Sequence, residues 1–188
     1  MLSARAVTLA LPTSLTIARL FAVPATVWLI VTQRLELAFW VFLVAGLSDA
    51  LDGALARLCD ARSQIGQLLD PVADKLLLVA TFGALATIGL LPVWVALLVA
   101  FRDVAIVTGI GAAHRGEVAI DLRPMMIGKL ATALQVGLAG WTLAEAGLDL
   151  RDDGVTTVLT LGVAASAVAS GLAYGRRWLG AMRNGRPS

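Results

Sequence analysis

Four aspartates, Asp49, Asp52, Asp70 and Asp74, lie in "SDALDGALARLCDARSQIGQLLDPVADK", a charged stretch from Ser48 to Lys75 between apolar segments. The first pair is three residues apart and the second four, separations that put each pair on one helix face. Two antiparallel helices joined by a turn around "LCDARSQIG" would point the four carboxylates at one another. Carboxylates repel strongly where the dielectric is low, so such a cluster needs protons, cationic partners or metal ions. Oxygen ligands without histidine or cysteine select a hard cation such as Mg²⁺ or Mn²⁺, and Mg²⁺ favours sites shared with phosphate groups. Gly53 and Gly66 flank the cluster and let a bulky ligand approach the backbone. Arg57 is placed to meet a phosphate or a nucleotide, whereas Asp60 falls in the turn, off both faces, and is read as solvated.

The elements that position these residues follow from hydropathy. Of 188 residues 59% are hydrophobic and 15% charged, and the mean hydropathy is +0.84. A water-exposed surface could not be made from so few charges, and the apolar residues come in blocks long enough to cross a bilayer as helices. The expected architecture is all-α: a polytopic integral membrane protein with six transmembrane helices near 16–32, 36–58, 66–90, 92–113, 127–146 and 155–175. Pro24 should kink the first span. The connections are marked by "TQRLE", by Pro92 in "GLLPVW" and by "EAGLDLRDDG". Residues 1–14 are read as a short juxtamembrane surface helix rather than a signal peptide, and 176–188 as a basic tail, so that 1–188 form a single domain. A lone cysteine, Cys59, excludes an internal disulfide, and a lone histidine, His114 in a polar loop, cannot make a zinc site.

Basic residues set the orientation. One side would hold Arg5, Arg57, Arg62, Arg115, Arg123, Arg176, Arg177, Arg183 and Arg186, the other only Arg34 and Arg151. That bias places both termini and the aspartates on the cytoplasmic side of an inner membrane. The tail "YGRRWLGAMRNGR" suits an anionic lipid surface, with Tyr174 and Trp178 near the headgroups. Gly162, Ser166 and Ser170 recur every four residues and allow close helix packing, within one chain or between subunits. Arg19, Lys75, Arg102, Arg123 and Lys129 fall at a depth similar to the aspartates, as phosphate ligands for a second substrate or as counter-ions. An arginine as deep as Arg102 needs a partner: Asp103, the acidic cluster or a phosphate.

The run from Asp49 through Asp52, Gly53, Ala56, Arg57, Gly66 and Asp70 to Asp74 resembles the signature of the CDP-alcohol phosphotransferases at every fixed position. The resemblance implies a Mg²⁺- or Mn²⁺-dependent transfer, with two ions, of a substituted phosphate from a CDP-linked donor to an alcohol, releasing CMP. It makes Asp49, Asp52 and Asp70 metal ligands, and Asp74 the general base and a further metal ligand. Asp52, Gly53, Ala56, Arg57, Gly66 and Asp70 would line the nucleotide site. A homodimer is also implied.

"LPTSLTIARL", "LLDPVADKLLL" and "GLLPVW…FRDV" look like the phosphatidyltransferase branch, which uses CDP-diacylglycerol. "FRDVAIV" and "LRPMMIGKLATALQV" look more like members whose acceptor is phosphatidylglycerol, giving cardiolipin. Glycerol 3-phosphate is the next acceptor and an inositol phosphate a weaker third; in each case the partner is an anionic lipid or headgroup, not a nucleic acid. From other classes, a polytopic prenyltransferase would resemble longer chains with two separated aspartate motifs. A cation or proton transporter would not need Gly53, Arg57 and Gly66 at fixed offsets.

Overall fold

Buried positions in the computed structural model recur every three or four residues, the period of helices with one face turned inward. The structure describes the backbone of residues 20–59, 64–114 and 126–184, and within them the side chains of 20–48, 75–106, 108 and 126–176. Every regular element among the described residues is a helix: α1 (Leu20–Val31), α2 (Leu35–Cys59), α3 (Gln64–Thr87), α4 (Val93–His114), α5 (Met126–Gly147) and α6 (Val155–Asn184). They coincide with the six expected segments to within a few residues, with two differences. His114, expected in a loop, ends α4, and the basic stretch after residue 175 continues α6 through Asn184. No proline interrupts that stretch, and arginines in a last turn complement the helix dipole. The expected surface helix at 1–14 lies outside the described residues.

By length and composition one described helix segment, Val155–Arg176, is long and apolar enough to cross a membrane. Shorter apolar stretches occupy Leu20–Val31, Leu35–Ser48 and Lys75–Thr87.

The ends of α1, α3 and α5 share one device. Gln33 (φ 60°), Gly89 (φ 81°) and Asp149 (φ 52°) adopt the left-handed conformation just past each helix. The next residue's N–H then reaches back to a carbonyl near the helix end: Arg34 to Leu29 at 2.8 Å, Leu90 to Leu85 at 3.0 Å and Leu150 to Glu145 at 3.0 Å. These are Schellman closures, which satisfy carbonyls that the helix leaves without partners. Asp152 prepares the next start, its Oδ1 accepting from the Thr156 N–H at 2.7 Å. The expected connections are therefore real, although Gln33 and Asp149 stand where glycine is the commoner residue.

The chain groups into two compact units whose boundary falls inside α5. In the first (1–91 and 139–151), the buried side chains include Ile30, Phe42, Phe82, Leu85 and Leu143. Here the end of α5 meets the start of α2 backbone to backbone. A Cβ on Gly147 would stand 2.6 Å from the Glu36 nitrogen and 2.7 Å from both Glu36 Cα and the Leu35 carbonyl carbon. The second unit (92–138 and 152–188) packs α4 on α6 and buries Val95, Val99, Ala131, Leu138, Val163 and Ala167. Since the atoms facing Gly147 are main chain and cannot rotate aside, Gly147→Ala should destabilise the protein by about 1–3 kcal/mol. A wild-type-like melting temperature for that variant would contradict this close approach.

Candidate functional site

The acidic motif falls on two helices of the first unit. Asp49, Asp52, Gly53, Ala56 and Arg57 lie in the last turns of α2, and Gly66, Asp70 and Asp74 in the first turns of α3. Their backbone is helical, so the intervals of three and four residues become intervals of about one turn. The side chains of 49–74 lie outside the described residues, as do Arg19, Asp60, Arg62 and Arg123. The donor set itself is chemically uniform: four carboxylates, all oxygen. It fits a hard divalent cation and offers nothing to a soft one.

A second polar centre lies in the interior of the other unit. Arg102 on α4 is 5% exposed and Asp103 2%. Neighbouring residues on a helix do not normally face each other, but the long arginine side chain folds back to set Nη1 2.6 Å from Asp103 Oδ1. The same guanidinium donates from Nε to Ser170 Oγ on α6 at 3.1 Å and from Nη2 to the Gly128 carbonyl on α5 at 3.3 Å. One cation thus ties three helices together. Gly128 has room for this: a Cβ there would meet Arg102 Nη2 and the Tyr174 hydroxyl, both at 3.6 Å. Its carbonyl also accepts from Thr132 Oγ1 at 3.1 Å.

Of the basic residues expected near a second substrate, Arg102 is thus held by Asp103, Ser170 and Gly128. Lys129, the next residue along α5, is exposed, and Lys75 in the other unit is half-buried with an interaction of its own. Ser170 and Tyr174 enter this centre unexpectedly. In the sequence, Ser170 belongs to a stripe of small residues and Tyr174 to a membrane-surface tail. Their one signal is a four-residue spacing on α6 that continues the Gly162, Ser166 series. Packing is still part of that stripe's role, because Gly162 lies against Leu134, whose Cδ1 would be 3.8 Å from an added Cβ.

The model of the CDP-alcohol phosphatidyltransferase family matches residues 9–172, which include the acidic motif and, of the second centre, Arg102, Asp103, Gly128 and Ser170. The chain belongs to that family. Within it, the chain is similar to a human cardiolipin synthase (CMP-forming), at 28% identity over 180 residues, covering 87% of this chain and 60% of that protein. It is similar to a Streptomyces coelicolor cardiolipin synthase (CMP-forming) at 36% over 113 residues, 57% of this chain and 53% of the relative. A rice chloroplastic CDP-diacylglycerol–glycerol-3-phosphate 3-phosphatidyltransferase is 30% identical over 190 residues, 89% of this chain and 56% of the relative. The chain therefore spans little more than half the length of these curated relatives.

For this phosphatidyltransferase-family chain the Arg102–Asp103 pair makes a measurable demand. Removing one member of a buried pair takes a counter-charge from the other, at a cost of about 3–5 kcal/mol, whereas removing both can be nearly neutral. Arg102→Met should therefore lower stability to chemical denaturation by about that amount, and Arg102→Met with Asp103→Leu should recover most of it. A double variant as unstable as the single one would show that the pairing is not what Arg102 supplies.

Proposed function

We propose that the chain is a divalent-metal-dependent phosphatidyltransferase that moves a phosphatidyl group from CDP-diacylglycerol to a glycerol hydroxyl of phosphatidylglycerol, giving cardiolipin and CMP. The observation that carries this is the acidic motif of the family spread over two helix ends, Asp49 and Asp52 on α2 and Asp70 and Asp74 on α3. The similarity to proteins named as cardiolipin synthases supports the choice of acceptor. Glycerol 3-phosphate is the second acceptor, supported by the rice relative.

In this proposal Asp49, Asp52, Asp70 and Asp74 would hold two Mg²⁺ or Mn²⁺ ions, which when bound would neutralise the pyrophosphate of the donor. Gly53, Ala56, Arg57 and Gly66 line the nucleotide, with Arg57 meeting its phosphate. Asp74 accepts the proton of the acceptor hydroxyl. The freed oxygen attacks the phosphorus that carries diacylglycerol, and the bond from that phosphorus to the bridging oxygen breaks. CMP leaves with the bridging oxygen and the electron pair. Lys129, with Arg19, Lys75 and Arg123, would supply positive charge for an anionic acceptor, whereas the charge of Arg102, expected to join them, is met by Asp103.

The setting is a membrane. Phe21, Trp28, Leu97, Phe101, Val158, Leu161 and Leu172 are each more than half exposed, on α1, α4 and α6. Large apolar side chains spread over several helices suit hydrocarbon rather than water. We assign six spans, with both termini and the aspartates toward the cytoplasm, from the arginine bias of the connections, and a homodimer from the family resemblance.

Purified protein, Mg²⁺ and CDP-diacylglycerol should release CMP and form cardiolipin, identified by lipid mass, when phosphatidylglycerol is supplied. Exclusive use of glycerol 3-phosphate would replace this acceptor with the second, and no CMP with any acceptor would sink the transferase assignment. Asp74→Asn should keep CDP-diacylglycerol binding while turnover falls by about 10²–10⁴-fold, the usual contribution of a positioned base. Asp49→Asn and Asp52→Asn should instead weaken Mg²⁺-dependent CDP binding, and unchanged binding would contradict their role as ligands.

A further inference from the structure

The first unit has a cavity at the end of α2 remote from the aspartates. It measures about 330 Å³ and is lined by residues 33–37 with Ala146 and Gly147, all of that unit. That volume lies in the range of small-molecule sites, about 300–1,000 Å³, and far exceeds the roughly 30 Å³ of one water. Main-chain contacts fix its walls. The closure at Gln33 holds the Arg34 N–H on the Leu29 carbonyl at 2.8 Å, and Gly147 sets the end of α5 against Leu35 and Glu36.

The lining carries one charge of each sign. Arg34 and Glu36 are both exposed, and neither has an ion-pair partner among the described residues. Arg34 Cζ lies over the Trp28 ring, 5.8 Å from its centre. A guanidinium that gives its face to a ring keeps the N–H groups of its edge, a planar fork that suits two oxygens of a phosphate. An ionised Glu36 has only acceptors to offer and calls for a positively charged donor. A zwitterion with a phosphate and an N–H-bearing ammonium answers both. An anion alone would stand as a like charge beside Glu36, and a cation alone would do the same to Arg34.

The surroundings attach that zwitterion to hydrocarbon. Trp28 and Val31 on the last turn of α1, and Leu37 and Trp40 on the first turns of α2, are all exposed. Tryptophans of this kind gather at the level of lipid headgroups. About 20 Å of helix separates Leu35 from Asp49, so in the membrane setting proposed above the cavity faces the leaflet opposite the acidic motif.

We propose that this cavity binds the headgroup of an aminophospholipid such as phosphatidylethanolamine, Arg34 donating to its phosphate and Glu36 accepting from its ammonium. It is a lipid site separate from the transfer reaction, and it rests on the membrane setting rather than on the choice of acceptor.

The test uses the full chain, freed of lipid in an uncharged detergent, with phosphatidylethanolamine or phosphatidylcholine of matched acyl chains. These two differ in the ammonium alone, which donates hydrogen bonds in the first and is trimethylated in the second. Neither is an acceptor in the proposed reaction. Occupancy read by native mass spectrometry should favour phosphatidylethanolamine by about tenfold, the worth of one hydrogen bond between charged groups. Glu36→Gln should bring the two lipids level, and because the ratio is taken within one variant, any change in folded fraction cancels. Arg34→Gln should lower the occupancy of both by about tenfold. O-phosphoethanolamine, the headgroup without chains, should bind far more weakly than the lipid, and equal binding would make the ligand a soluble one. No preference in wild type, or a preference that Glu36→Gln retains, would overturn the site while CMP release, and with it the transferase assignment, stood. Recovery of the chain from lysed cells in the aqueous fraction without detergent would remove the membrane setting and the site together.

Discussion

A guanidinium inside an apolar helical unit is tolerable only when its N–H groups are satisfied and its charge is met, and Arg102 achieves both at once. Its partners come from three different helices: a carboxylate on its own α4, a carbonyl in the first turn of α5 and a hydroxyl on α6. Directional bonds of this kind fix rotation about each helix axis, which apolar contacts leave comparatively free. The unit around it is otherwise built from small and branched side chains such as Val95, Val99, Ala131, Val163 and Ala167. Such residues fill space but would pack nearly as well in neighbouring registers. In the membrane setting proposed above the polar contacts therefore carry specificity, and the small residues let the helices come close enough to make them.

That requirement also explains the glycine and serine at the contact. Gly128 leaves its carbonyl open to the arginine from the side, and Ser170 is short enough to stand beneath Nε without pushing α6 away. A Cβ on Gly128 would already stand in van der Waals contact with Arg102 Nη2, so little space separates the helix backbone from the cation.

The helices and their connections were legible in the sequence, because hydropathy and turn-forming residues act locally and each segment declares itself. The acidic motif was legible for a similar reason, its spacing being a statement about one helix at a time. What the sequence did not disclose depends on the encounter of distant residues. Ser170 is 68 residues from Arg102 and looks like packing material until the two meet. Gln135 reads as one polar residue in an amphipathic stretch, yet it is fully buried and its amide has no hydrogen-bond partner among the described residues. Gln33 and Asp149 escaped notice because neither residue type announces a left-handed backbone as glycine does.

The contact of Gly147 with the start of α2 has a mechanical meaning. An α-helix is stiff along its axis, and α2 runs without interruption from Leu35, where α5 touches its backbone, to the turns that hold Asp49 and Asp52. About 20 Å of rod separates the two. An added Cβ at Gly147 would press on main-chain atoms at the start of this rod, and the proposed metal ligands Asp49 and Asp52 ride on its later turns. Displacements near 1 Å can cost about a hundredfold in a reaction that depends on alignment. In the transferase proposed above, the fit of Gly147 against Leu35 and Glu36 therefore bears on the axial setting of half the acidic motif.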